Sequence, residues 1–389
     1  MFNKHDISKD RFMLDGKFAT KGYDWWWHSF TGINEETGEE KAFFIEYFTC
    51  NPGLGGKKPI LGQDPANKAA KSLPTYLMVK AGCWGRDAKQ IHRFFGWDNV
   101  KIDTGRAFSI EADDCYASEY LLKGSVNVSA DDAAKHPEYM CDAGSMNWEL
   151  AVDKKVAFNV GYGTSDALCA AKAFEMYWHA EGMKTAFEGK VVLDGVSYKV
   201  SPETCYGYAD KNWGSNFTSP WVWLSSNDLT SRLSGKRLEN SVFDIGGGRP
   251  KVYFVPIERK LLGAFWHEGK CFEYNFSKLW APSATRFKCE ETGDRIVWKV
   301  VQENSTSLMK TYVTCKKEDM LFINYESPDG EKRYKRLWNG GNGIGRIKLY
   351  KKVRGNGASA GKAASKYRLE LIDDIDVGHI GCEYGEYSE

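Results

Sequence analysis

The chain has 389 residues, with 53 basic and 52 acidic side chains and a formal net charge of +1 at pH 7, long enough for two hydrophobic cores. No Lys/Arg block tracks a phosphate backbone, which argues against nucleic acid as a partner. The N-terminal residues lack an apolar run of signal-peptide length and no stretch of about 18 apolar residues occurs anywhere, so we expect no transmembrane segment, at most peripheral membrane contact, and a cytoplasmic location.

Ten cysteines are scattered without a C-x-x-C pair, so neither a zinc knuckle nor a thioredoxin-type couple is expected, and the thiols are read as reduced. The aromatic load is high, with 14 Trp, 20 Tyr and 21 Phe. Such rings supply large apolar area of fixed shape, either as sheet packing or as the lining of a ligand cavity.

In chain order, Asp24-Trp25-Trp26-Trp27-His28-Ser29 opens the first strand pattern. Alternation divides it into Trp25/Trp27 and Trp26/His28, one pair of which must face inward. We assign Trp26 and His28 to the ligand side, with a satisfied core histidine as the other reading of His28. Lys41–Phe48 (KAFFIEYF) is the next strand, and Glu46 within it is a candidate acid or substrate anchor. If Glu46 points outward, it is ordinary strand alternation. Pro52–Pro74 reads as a long excursion between strands. Ala130–His136 and Ser165–Phe174 carry the few helix signals.

Trp178-His179-Ala180-Glu181-Gly182 precedes a strand turn, and Trp178 and His179 are candidate rim residues. Val191–Val200, Lys251–Ile257, Arg295–Val301, Lys310–Cys315 and Tyr367–Ile372 are β-branched or aromatic runs separated by turn signals such as Leu193-Asp194-Gly195 and Pro328-Asp329-Gly330. Gly355–Ala364 reads as a low-complexity loop. The rhythm predicts an all-β, antiparallel barrel or sandwich fold with few short helices. Trp221-Val222-Trp223-Leu224-Ser225 echoes the W-x-W-x-S spacing of Trp25–Ser29. Two halves, each opening on such a strand, suggest a duplicated β unit, which we divide at 1–205 and 206–389.

Near that division stands Cys205-Tyr206-Gly207-Tyr208-Ala209-Asp210-Lys211-Asn212-Trp213-Gly214. In an extended segment Tyr206, Tyr208, Asp210 and Asn212 form one row and Lys211 faces the other way. A carboxyl among aromatic rings is desolvated and holds its proton near neutral pH, unless Lys211 turns inward. The competing reading is an Asp210–Lys211 pair that braces the turn. No H-E-x-x-H, Walker loop or G-x-S-x-G motif is present, so no metal, nucleotide or other cofactor is expected.

Tyr208-Ala209-Asp210-Lys211-Asn212-Trp213-Gly214 closely resembles the Y-A-E/D-K-N-W-G signature of the tocopherol cyclase family, whose relatives include carotenoid 1,2-hydratases and lipocalin-like pericyclases. Gly22–Ser29, Phe187-Glu188-Gly189, Trp221–Leu224 and Gly246-Gly247-Gly248 support it. The resemblance implies two lipocalin-like antiparallel β domains packed together, with a pocket for a hydrophobic, isoprenoid- or polyene-like molecule near their junction. It also implies cofactor-independent protonation of a C=C bond, with Asp210 as donor and Tyr208 as cation stabiliser, and Lys211, Asn212 and Trp213 as binding residues beside them. Cyclisation, hydration and isomerisation all fit that chemistry. A non-catalytic carrier and a pericyclase that folds its substrate are the alternatives, and the oligomeric state is open. The N-terminus lacks a plastid transit peptide, and Asp210 stands where plant-type cyclases usually carry Glu, so a bacterial homologue with another substrate is the expectation.

Overall fold

The structure, a computed structural model, describes residues 4–103, 105, 108–158, 171–249, 251–252, 255–256, 260–276, 282–331, 334–354 and 367–387. The fold is all-β: two large antiparallel sheets, a short hairpin and a few brief helices. Both sheets curl. In the first, the strand Lys89–Phe95 approaches Leu121–Val128, and in the second, Lys260–His267 approaches Ala284–Thr292, so each closes into a barrel-like layer around its own core.

The signature strand, Gly207–Gly214, sits in the first sheet between Tyr23–Asn34 and Met176–Leu193. The division between sheets therefore falls between Gly214 and Trp221 rather than at 205/206. Trp221–Ser226 opens the second sheet, paired with Val242–Gly248 on one side and Tyr367–Tyr387 on the other.

Most strands match the aromatic and β-branched runs of the sequence. Val191–Val200 resolves into a hairpin turning at Asp194-Gly195. Within the described residues, Lys251–Ile257 gives only the small hairpin of Lys251–Val252 with Val255–Pro256. A helix forms at Ala130–Lys135, where the Ser129 side chain accepts a hydrogen bond from the Asp132 amide and satisfies an otherwise unpaired first-turn donor. Pro52–Pro74 holds a 3-10 turn at Pro52–Leu54 and a short helix at Pro65–Ala69. Of the expected Ser165–Phe174 helix, 165–170 lie outside the described residues, and of the rest 171–172 form a turn and 174 a β-bridge rather than a helix. Gly355–Ala364 also lies outside them.

Three apolar clusters follow from strand alternation. One fills the first sheet, with Trp26, Phe30 and Phe43. One fills the second, with Val222, Leu224 and Trp298. The third lies between the sheets and contains Trp25, Trp27, Trp178, Tyr208, Trp221 and Trp223. Tyr23–Asn34 is buried on both faces because one face packs inside its own sheet and the other against the second sheet. The two W-x-W strands thus point their odd-numbered tryptophans at the same inter-sheet space. Among the described residues, no helix is long and apolar enough to cross a membrane.

Candidate active site

The inter-sheet space contains a narrow cavity, open to solvent along part of its wall. Its wall is mostly aromatic, with Trp25, Trp27 and Trp178 from the first sheet and Trp221 and Trp223 from the second, joined by Tyr325. The polar groups set into it include Asp210, Asn212, Asn339 and Glu383.

Asp210 reaches the cavity because its register on the signature strand matches that of its neighbours. It lies opposite Trp27, with Trp25 and Trp178 on the diagonals, so three indoles share its face. Trp178 Nε1 donates to Asp210 Oδ2 at 2.9 Å, and Tyr208 Oη is 3.2 Å from the same oxygen. Trp25 Nε1 lies 3.4 Å from Oδ1. Burial pushes the Asp210 carboxyl up to about 8, with the Glu181 carboxyl adding to the shift, while the donors from Trp178, Trp25 and Tyr208 hold it back. Asp210 is therefore a neutral acid at pH 7.

Tyr208 stands behind it. Trp223 Nε1 donates to its hydroxyl at 3.1 Å, and the two rings lie 5.0 Å apart. Burial, Asp210 and Asp244 all push the Tyr208 phenol upward, so it stays protonated. Asp244, fully buried, is itself pushed well up by burial and by the Asp210 carboxyl. Tyr208 and Trp223 also line a second, more polar recess, together with Ser225, Ser226, Asn227 and His379.

Lys211 does not face the cavity. It extends into the first sheet, paired with Asp24 and 3.8 Å from the Trp26 ring centroid. Trp26 and His28 share that interior, so Trp25/Trp27 is the pair that lines the cavity. His28 Nε2 lies 3.7 Å from Glu181, and His179 Nε2 lies 3.2 Å from Asp10. Burial pushes His28 down to about 3 and His179 to about 4, so both are neutral. Lys154 anchors this polar knot, with Nζ 3.1 Å from Asp10 and 2.8 Å from both Glu119 and Glu181. The three carboxyls are near enough to one another to ligate a cation, and the Lys154 ammonium already stands among them.

Glu46 forms a fully buried pair with Lys80 at 2.5 Å, and Lys80 also donates to the Asn324 carbonyl at 2.7 Å and lies 4.3 Å from the Tyr325 ring centroid. The pair sits behind the cavity wall that Tyr325 forms. Trp213 stacks on Tyr177, 5.3 Å between centroids, outside the lining. Of the residues singled out by sequence, Asp210, Trp178 and Asn212 line the cavity, with Tyr208 adjoining Asp210. Trp26, His28, Glu46, His179, Lys211 and Trp213 are buried elsewhere.

Sequence reading passed over Glu383, Asn339 and Tyr325. They come from the second sheet and its connections, about 115 to 173 positions after Asp210 in the chain, and carry no motif. The only signal in the sequence was the echo of Trp221/Trp223 with Trp25/Trp27.

Comparison with solved structures finds a provisionally assigned AttH from Nitrosomonas europaea, with a TM-score of 0.43 and 10% identity over 92% of this chain and 93% of that one. Kievitone hydratase from Nectria haematococca gives a TM-score of 0.45 and 10% identity over 94% of this chain and 89% of that one. No protein-family model matches the sequence, and no curated protein matches it at a significant level.

Proposed function

We propose that the chain is an enzyme that protonates a C=C bond of a hydrophobic, alkene-bearing small molecule held between its two sheets, leading to cyclisation, hydration or isomerisation. The observation behind this reading is Asp210: a buried carboxyl, neutral at pH 7, in an aromatic cavity and held in place by donors from Trp178, Trp25 and Tyr208. An alkene is a weak base, so its protonation needs an acid that still carries its proton at neutral pH and a surface that tolerates the cation formed. Asp210 offers the acid. The indole faces of Trp25, Trp27, Trp178, Trp221 and Trp223 offer the surface, each cation–π contact being worth about 0.5–2 kcal/mol.

In the proposed step, Asp210 Oδ–H transfers its proton to one alkene carbon while the π pair forms the new C–H bond. Positive charge develops on the neighbouring carbon against the ring faces, and Tyr208 keeps the departing carboxylate hydrogen-bonded. An internal nucleophile, water or loss of a proton then decides among ring, alcohol and isomer.

The test begins with mass spectrometry of small molecules that copurify with the protein, followed by turnover of the molecule identified. Asp210→Asn should still bind it and lose about 10²–10⁴-fold in rate, the usual cost of deleting a general acid. A rate independent of pH from 5 to 9 and unchanged in Asp210→Asn would replace this reading with a pericyclase. Retention without any turnover would make the protein a carrier.

A further inference from the structure

Among the described residues, the cavity lining contains two carboxyl groups, and proton donation uses one of them. Asp210 comes from the first sheet and Glu383 from the second, so they belong to different walls. Glu383 lies on Tyr367–Tyr387, with Trp223 opposite it on one side and Asn339 on the other. Trp221 Nε1 donates to Glu383 Oε2 at 2.9 Å, and Asn339 Nδ2 to Oε1 at 3.3 Å. Trp84 Nε1 donates to Asn339 Oδ1 at 2.9 Å, which turns the amide so that its NH₂ faces Glu383. Each carboxyl oxygen accepts one donor here, and a carboxylate oxygen has room for a second.

We propose that Glu383 is the second proton-handling group of this site, the carboxylate that takes up the proton released when the cation is discharged. The proposal rests on the protonation chemistry above. A cation formed in an aromatic cavity must lose charge to a base inside it. If Asp210 alone took the proton back, it would come from the face that received it. Glu383 stands on the other wall, where it reaches a different hydrogen. When the cation forms, a C–H bond next to it breaks to give the new C=C, or an added O–H loses its proton, and a Glu383 oxygen lone pair forms the new O–H bond. One proton has then moved from Asp210 to Glu383, and exchange with solvent through the open side of the cavity restores both.

The surroundings suit that role. Lys80 and Glu46 face Glu383 from the first sheet, Trp221 and Asn339 from its own, and Asp210 shares the cavity. Burial pushes Glu383 up to about 7, with Trp221 and Asn339 opposing, so a substantial fraction is ionised at neutral pH.

An ionised Glu383 facing five indoles makes the cavity a receptor for organic cations, which allows a test without the natural substrate. The probes are benzyltrimethylammonium and its uncharged carbon isostere neopentylbenzene, with binding followed by tryptophan fluorescence from pH 5.5 to 9.5. In the wild type, affinity for the ammonium relative to the isostere should rise about tenfold across this range as the cavity carboxyls ionise. Asp210→Asn should keep the part of the rise centred near 7, and Glu383→Gln should lose it. A flat wild-type profile, or a rise that survives in Glu383→Gln and vanishes in Asp210→Asn, overturns the proposal while leaving Asp210 as the acid. If Glu383→Gln does not fold, a flat profile in Asp210→Asn is decisive against it. Failure of both probes to bind at any pH would sink the cavity reading under Proposed function as well.

Discussion

Asp210 and Lys211 are neighbours in the chain and point to opposite faces of one strand: Lys211 pairs with Asp24 inside the first sheet, and Asp210 looks into the cavity between the sheets. The lysine that could have kept Asp210 ionised is thus on the wrong side of the backbone to do so. That geometry is why burial dominates and raises the carboxyl to about 8.

A stability prediction follows from this. Ionising Asp210 is easier in the unfolded chain than in the folded one, so its contribution to stability is present below the unfolded value of about 4 and is lost as pH rises towards 8. Asp210→Asn removes that dependence. Its melting temperature should exceed the wild type's by several degrees at pH 9 and approach it near pH 4, as followed by circular dichroism. Equal melting temperatures at pH 9 would show that the carboxyl is not desolvated.

The Lys211–Asp24 pair makes the opposite demand, because both side chains are fully buried. Lys211→Met leaves Asp24 without its counter-ion, and at pH 8 should cost about 3–5 kcal/mol in urea unfolding. Burial already raises Asp24 to about 6 despite Lys211 and the Met13 amide. The variant's penalty should therefore shrink at pH 5, where Asp24 takes up a proton, and adding Asp24→Asn should recover much of the loss at pH 8. A penalty equal at both pH values would assign it to packing against Trp26 instead.

Alternation made the row of Tyr208, Asp210 and Asn212 legible, with Lys211 opposed, because period two is a property of the strand alone. It could not say which face of Tyr23–Asn34 lines the ligand space, since both are buried. Trp26 and His28 look as suitable as Trp25 and Trp27 until the second sheet is in place. Glu46 reads as an exposed or ligand-facing charge, and its partner Lys80 is found only by strand pairing. Glu383 depends on a register set by sheet closure, which local pattern does not encode.

His379 joins the two sheets. Its Nε2 lies 2.6 Å from Glu40 of the first sheet and its Nδ1 2.6 Å from Asp228 of the second, with the Tyr206 ring stacked 3.9 Å away. Burial works against its charge, but the two carboxylates outweigh burial and push it up to about 9. Stabilisation from a raised histidine is complete below its unfolded value of about 6.5 and lost as pH rises through about 9. Thermal unfolding of the wild type should weaken between pH 6.5 and 9 by about 1–3 kcal/mol more than that of His379→Gln. Parallel curves for the two proteins would remove His379 as a pH-sensitive clamp.

Trp178 can reach Asp210 because the facing strand of the second sheet has no side chain beneath its ring. A Cβ built on Gly246 would lie 2.5 Å from Trp178 Cζ3 and 2.6 Å from Cη2, so Gly246→Ala must displace the indole that donates to Asp210. Among the hydrogen bonds holding Asp210 down, that of Trp178 is the largest, and losing it should move Asp210 ionisation to still higher pH. The pH dependence of melting should shift upward accordingly. Turnover of the copurifying ligand should fall by about 10²-fold, the scale for misplacing a reacting group by about 1 Å. Trp178→Phe added to Gly246→Ala relieves the clash without restoring the donor. The double variant should therefore regain melting temperature but not rate. If rate returns with packing, Trp178 only fills space; if Gly246→Ala changes neither rate nor the pH dependence, the indole does not orient the acid.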